Sequence, residues 1–308
     1  MDKLLVSVVI ENQTADLSSE SHVMRNLEEA LRQVKALPAP GGEVIMVSGK
    51  PFDTAVPEGV RCVVLPGKSY YVLKNAGMGE ARGEVVIFTD ADCRLGEGYV
   101  ERVIERFRKD DAVSCLAGRS YYDGRGFLCR MNTALSFGYL HDPKANFPAP
   151  YGVVAHNVAV RAADAPKAPF GDYLGRVTGD AWLTEWYRAR GRGPLLARDL
   201  VVYHEDPSYS VTLRMDRQLR EVLWSATGLD DLRPWKVSAW RALGKACLSP
   251  LWRGRKLVRY GRHVGMNPVS IALSVPMLVL YGVADVAAVL TMMLVPSVGE
   301  RYLRYQNG

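Results

Sequence analysis

A chain of 308 residues, 48% hydrophobic and 23% charged, buries a sizeable core as one large domain with an appendage or as two domains, which excludes a disordered chain. Its five cysteines are scattered and never spaced Cys-x-x-Cys, which excludes a zinc site and a disulfide framework and fits a reducing cytosol. The formal net charge of +6 comes largely from the Lys and Arg residues between Arg233 and Arg262, in a stretch from Leu232 to Ala284 that has no Asp or Glu, so an anionic partner is expected.

In chain order, the apolar run Leu4 to Ile10, stopped by Glu11, reads as a first strand and is too short for a signal peptide. Ser21 to Leu37 reads as an amphipathic helix with Leu27, Ala30, Leu31 and Val34 on one face. Glu43 to Val47 and Val60 to Leu65 read as strands, and about Ser69 to Ala81 as the helix that feeds a strand ending at Asp90. This alternation is that of a nucleotide-binding half-sheet. The glycines at 77, 79 and 83 do not make a dinucleotide fingerprint, because their spacing is wrong and they precede a strand. A helix is expected over Gly98 to Lys109, strands over Val113 to Gly118 and Val153 to Val160, a helix over Asp180 to Arg190 and a late strand over Leu195 to Tyr203. Tyr209 to Tyr260 is helical and basic, with Trp224, Trp235, Trp240 and Trp252 spread through it, and Asn267 to Val298 is almost purely apolar.

The most informative run is Val85 to Phe88 followed by Thr89-Asp90-Ala91-Asp92. Its unbroken β-branched and aromatic residues fit a strand covered on both faces of an α/β sheet, and ligands of such sheets bind at the strands' carboxyl ends. Asp90 and Asp92 turn towards one hard divalent cation only if the backbone leaves the strand there. Without that departure they are a solvated turn.

Val6-Ser7-Val8-Val9-Ile10, Tyr71-Val72-Leu73-Lys74-Asn75-Ala76-Gly77, Ala81-Arg82-Gly83-Glu84 and Asp90-Ala91-Asp92 together resemble the family 2 glycosyltransferases of the GT-A type, over roughly residues 4 to 225. The resemblance implies a Rossmann-like, mostly parallel α/β sheet flanked by helices. It also implies inverting transfer from a UDP- or GDP-sugar with Mn²⁺ or Mg²⁺. Asp92 would ligate the metal and Asp90 the metal or the nucleotide ribose. His156-Asn157-Val158-Ala159-Val160-Arg161 is similar to the acceptor-half segment and implies Asn157 and Arg161 on the acceptor side. Gly179-Asp180 is similar to the pair that supplies the catalytic base, with Asp172 as the other candidate. Tyr203-His204 is similar to a late strand whose histidine joins the metal. Glu11-Asn12-Gln13 and Val47-Ser48-Gly49-Lys50 depart from the family's usual segments at the base pocket, which leaves the donor base open while assigning Glu11 and Asn12 to that pocket. Lys74, Asn75 and Ala91 complete the implied nucleotide-sugar site.

Beside each of these stands a structural alternative. His204 is otherwise the partner of Glu205 or Asp206, Asp180 a helix-start carboxylate, Lys74 and Arg161 solvated cations, and Trp182, Trp186 and Tyr187 core packing. Two further functions fit an acidic pair in an α/β fold. A sugar-phosphate nucleotidyltransferase would carry a glycine-rich basic loop after the first strand, and Glu11-Asn12-Gln13 has none. A non-catalytic membrane adaptor would need neither Asp92 nor Asp180. No recognition motif supports nucleic-acid binding.

The reading divides the chain into a GT-A domain over 1–210, a basic amphipathic region over 211–265 and an apolar segment over 266–308. Arg253 to Arg262 precede Val269 to Val295, in which Asp285 is the only formal charge, so attachment to the cytoplasmic face of a membrane and a lipid-linked or glycan acceptor are expected. Pro276 and Asp285 argue for a shallow hairpin over a span, and a homo-oligomer contact is the alternative use of the same apolar surface.

Overall fold

The computed structural model describes residues 4–12, 20–51, 55–68, 70–124, 126–143, 152–171, 179–205, 239–295 and 297. The described residues fall into two units, one within 1–121, 143–173 and 178–205, the other within 122–142, 174–177 and 206–308. The excursion of 122–142 into the second unit has no counterpart in a division at residue 210.

The first unit carries an eight-stranded sheet: β1 (Val6–Glu11), β2 (Gly42–Ser48), β3 (Val60–Val64), β4 (Val85–Asp90), β5 (Cys93–Leu95), β6 (Cys115–Tyr122), β7 (Val158–Arg161) and β8 (Leu195–His204), in the order β3-β2-β1-β4-β7-β6-β8-β5. β3, β2, β1 and β4 run parallel, whereas β7 is antiparallel to β4 and to β6, and β5 is antiparallel to β8. The sheet is therefore mixed where the sequence reading has it mostly parallel. A continuous apolar run such as Val158 to Val160 records burial on both faces and carries no strand direction.

Helices α1 (Glu20–Lys35), α2 (Tyr70–Glu80), α3 (Tyr99–Lys109) and α5 (Gly179–Arg188) belong to this unit, and α4 (Phe127–Phe137) to the other. Period-2 alternation divides the strand residues between two cores. Val8, Ile10, Val85 and Ile87 face α1 and α3, while Val9, Val86 and Phe88 pack with Tyr71 and Leu73 of α2 and with Leu183 and Tyr187 of α5. The predicted face of α1 is the buried one, and Trp182, Trp186 and Tyr187 are core or core-flanking residues. Gly83 lets the chain enter β4, since a Cβ there would sit 2.4 Å from the Ser7 backbone nitrogen.

The second unit contains α4 and the C-terminal helices α6 (Ala239–Tyr260), α7 (Pro268–Leu273) and α8 (Val275–Leu294). Its core joins Met131 and Ala134 of α4 to Leu257, Tyr260, Leu278 and Tyr281. Among the described residues one helical segment, Pro268–Thr291, is long and apolar enough to cross a membrane. Pro276 stands at the second position of α8, where a missing N–H costs no helix bond, so it starts that helix and does not break a span. The expected helical elements between 209 and 238 lie outside the described residues.

Candidate active site

The parallel strands deliver their last residues to one rim. Glu11 pairs with Asp90 in register, the Ala91 N–H donates to the Glu11 carbonyl at 2.8 Å, and the Asn12 N–H donates to the Val47 carbonyl at 2.9 Å. Asn12 Nδ2 donates to Ser48 Oγ at 3.2 Å, so the two segments assigned to the base pocket are neighbours, and both Glu11 and Asn12 are buried. The chain does not pass straight from Asp92 into α3. A three-residue strand intervenes, β5, which pairs Cys93 with His204, and the Glu205 N–H donates to the Asp92 carbonyl at 2.8 Å. This short ladder brings the late-strand histidine to the acidic pair.

Asp90, Asp92, Cys93 and His204 place their ligand atoms within 4.8 Å of one another. His204 Nδ1 lies 2.7 Å from the Glu205 carbonyl, which can only accept, so this nitrogen carries a proton, and Nε2 faces Asp92 Oδ2 at 3.6 Å. The Glu205 carboxylate is instead paired with His22 at 2.9 Å, and Asp206 lies outside the described residues. Burial and the adjacent Asp92 carboxylate hold the Cys93 thiol well above its ordinary range, and beside it stand two carboxylates and the His204 imidazole. Oxygen and imidazole donors suit Mn²⁺ or Mg²⁺, and the set fits such an ion.

Burial raises the Asp90 carboxyl, but the Lys74 ammonium beside it outweighs burial and holds the group below its usual value. Burial also raises Asp92, where His204 opposes it less effectively and the net shift is upward. Lys74, fully buried, donates from Nζ to Asp90 Oδ1 at 2.5 Å and to the Thr89 carbonyl at 3.0 Å. The Tyr70 hydroxyl donates to the same carboxylate at 2.9 Å. The next residue, Tyr71, reaches the other acid, its hydroxyl lying 3.5 Å from Asp180 Oδ1, which also accepts from the Ala181 N–H at 2.9 Å. The first turn of α2 thus touches both Asp90 and Asp180.

Asp180 owes its place to Gly179. A Cβ at 179 would lie 2.7 Å from a Tyr71 ring carbon and 2.8 Å from Phe170 Cβ. Gly179→Ala is therefore expected to lose about 1–3 kcal/mol in urea unfolding as α5 shifts off α2.

The other expected site residues are placed as follows. Asn75 clasps the loop ahead of α5, donating to the Gly171 carbonyl and accepting from the Phe170 N–H, each at 2.9 Å. Ala91 is buried, and its carbonyl accepts from Asn26 at 2.9 Å. Asn157 is buried between Tyr99, which donates to it at 2.7 Å, and the Arg119 carbonyl. Arg161 is not brought to this rim. It pairs with Val85, five residues or about 17 Å along β4 from Asp90, and its guanidinium donates to the Phe107 and Val113 carbonyls. Asp172 lies outside the described residues.

Tyr70, Tyr71 and His156 escape the sequence reading of the site. Tyr70 and Lys74 are spaced i, i+4 on one helix face, a signal present in the sequence, and Nζ lies 4.8 Å from the ring centroid. His156 meets His204 edge to face at 5.3 Å, bonds Ser120 Oγ at 3.0 Å, and is kept neutral by burial, which pushes it down to about 3.

Residues 25–164 match the family model described as glycosyl transferase family 2. This segment is a family 2 glycosyltransferase domain. Among solved structures, the mannosyltransferase PcManGT from Pyrobaculum calidifontis, in complex with GDP-Man and Mn²⁺, is similar over 96% of this chain and 88% of its own at 15% identity, with a TM-score of 0.53. S. aureus TarS 1–349 aligns over 96% and 92% at 14% identity, with a TM-score of 0.46. No curated protein matches the chain. The likeness to the Pyrobaculum enzyme is one of fold, and the glycosyltransferase assignment rests on the family match.

Proposed function

We propose that this glycosyltransferase moves a sugar from a UDP- or GDP-sugar to a hydroxyl of a lipid-linked or polysaccharide acceptor, with inversion. The acceptor is met at the cytoplasmic face of the cell membrane, in building the cell envelope. The observation that carries this reading is the convergence of Asp90, Asp92 and His204 at the strand ends, with Asp180 tied to the same helix turn through Tyr71. Asp92, Asp90 and His204 would hold Mn²⁺ or Mg²⁺. The ion, when bound, neutralises the charge of the departing diphosphate. That the Pyrobaculum protein was solved with GDP-Man and Mn²⁺ supports the donor class and the ion.

The chain's own groups do the rest. Lys74 and Tyr70 fix the Asp90 carboxylate in one orientation, so the nucleotide meets a preorganised acceptor of hydrogen bonds. Asn12 and Glu11, at the ends of adjacent strands, line the approach for the base. Asp180 is half-exposed and takes the proton of the attacking hydroxyl. A single base opposite a single leaving group gives one displacement, hence inversion.

Titration calorimetry with UDP and GDP tests the reading. Binding with Mn²⁺ should weaken at least about tenfold on chelation and on Asp92→Ala, the scale of losing one charged ligand. Affinities indifferent to both would remove the metal assignment.

A further inference from the structure

The C-terminal helices present many of their apolar residues outward and turn one charged pair, Arg253 and Asp285, inward. Arg253 Nη1 donates to Asp285 Oδ2 at 2.6 Å and Nη2 to Oδ1 at 3.3 Å, and Asp285 is 1% exposed. The only formal charge between Val269 and Val295 is thus neutralised against α6. The two helices lie antiparallel, Gly254 beside Leu278 and Pro250 beside Gly282.

All the exposed large apolar residues among those described, except Val64 and Leu195, lie between 240 and 295. On α8, Val275, Val279, Val283, Leu290 and Leu294 share one arc at 100° per residue, and no charged residue interrupts it. On α6, Trp240 (76% exposed), Leu251 (71%) and Val258 form an arc next to Gly254, on the α8 side. Because the helices are antiparallel, these arcs meet on the side away from Met131, Ala134 and Tyr281 and make one continuous apolar face. Farther round α6 come the exposed Arg255, Lys245 and Lys256, with Leu248 and Trp252 among them; Lys256 also bonds the Leu135 carbonyl at 3.1 Å, and Arg259 is paired with Asp142 at 3.2 Å.

This arrangement is that of an object lying in an interface. A patch so extended exceeds what a monomer leaves to water. An apolar face bordered by cations and a tryptophan matches acyl chains below and anionic headgroups at the level of the rim. A second copy fits less well, since a two-fold contact sets one cationic rim near another and no acid between 232 and 284 offsets it. A span by α8 would draw the cations of its packed partner α6 into hydrocarbon. Building on the membrane reading above, we infer that α6 and α8 form a wedge that lies flat in an anionic leaflet without crossing it, closed on its inner side by Arg253 and Asp285.

The full chain, mixed with phosphatidylcholine vesicles with and without phosphatidylglycerol, should sediment with the anionic vesicles only, and high salt or alkaline carbonate should release it. Replacing Lys245, Arg255 and Lys256 by Gln should weaken this binding roughly a hundredfold, at about fivefold per cation. Leu251→Glu/Val283→Glu, at exposed positions and with unchanged circular dichroism, should abolish it. Retention after carbonate would overturn the flat wedge while sparing the membrane reading. Absence of vesicle binding, with a dimer in solution that Leu251→Glu dissociates, would overturn both. Nucleotide binding measured alongside is independent of either outcome.

Discussion

Asp180→Asn is expected to keep donor affinity and to lose about 10²–10⁴ in turnover, the usual consequence of removing a general base. The substitution preserves shape and the ability to accept from the Ala181 N–H and the Tyr71 hydroxyl, so α5 and its packing on Phe170 should stay in place. What goes is the capacity to take a proton. Kd for the nucleotide diphosphate by calorimetry and kcat by product release separate the two effects. An unchanged Kd with a collapsed kcat, and loss of the acidic limb of the pH–rate profile, places the proton transfer at 180. Wild-type turnover would move the role to Asp172 or abolish it.

Lys74→Met should destabilise the fold by about 3–5 kcal/mol near neutral pH, the typical cost of leaving one member of a buried ion pair without its partner. Both members are buried, Lys74 completely. The pH dependence follows from the sign of the shift. In the native protein the Asp90 carboxyl lies below its unfolded value, so its contribution is present above that value and is lost as pH falls through the folded pKa. Without Lys74, burial is the dominant influence and the carboxyl rises instead. The variant's deficit should then shrink as pH falls from neutral towards 5, because Asp90 can bind a proton and become uncharged. Urea unfolding in the presence of chelator, at several pH values, measures this. A deficit independent of pH would show that Lys74 acts through its packing and its bond to the Thr89 carbonyl. Lys74→Met/Asp90→Leu should recover most of the loss.

The parallel half of the sheet was legible because its signals are local. Val6 to Ile10 and Val85 to Phe88 are long apolar runs, and α1 shows its buried face at helical spacing. β5 was not legible, since Cys93-Arg94-Leu95 is too short to show a period and exists only because β8 returns beside it. α4 lies between predicted elements with no charge alternation to mark its face. The site divides in the same way. Asp90 and Asp92 stand out because a buried strand points at them, whereas the partners of Asp90 come from a helix 16 and 20 residues earlier in the chain. Arg161 is implied on the acceptor side only by the likeness of residues 156–161 to the family's acceptor-half segment, and that likeness carries no strand direction. Antiparallel β7 puts Arg161 beside Val85, on the rim opposite Asp90. Asp285 reads as a liability in the sequence, since its partner lies 32 residues upstream and only packing joins them.

Two smooth apolar helices laid side by side lose little by sliding one turn, about 5.4 Å, past each other. The C-terminal pair has two stops against such a slip. Arg253 meets Asp285 at only one alignment, and any other leaves a carboxylate among apolar neighbours. Gly282 meets Pro250 at the same alignment, where a Cβ would lie 2.5 Å from the proline ring, so the wider residues on either side of 282 cannot take its place. The charge that looked like an obstacle to entering lipid is thereby what gives a greasy hairpin a single way to close.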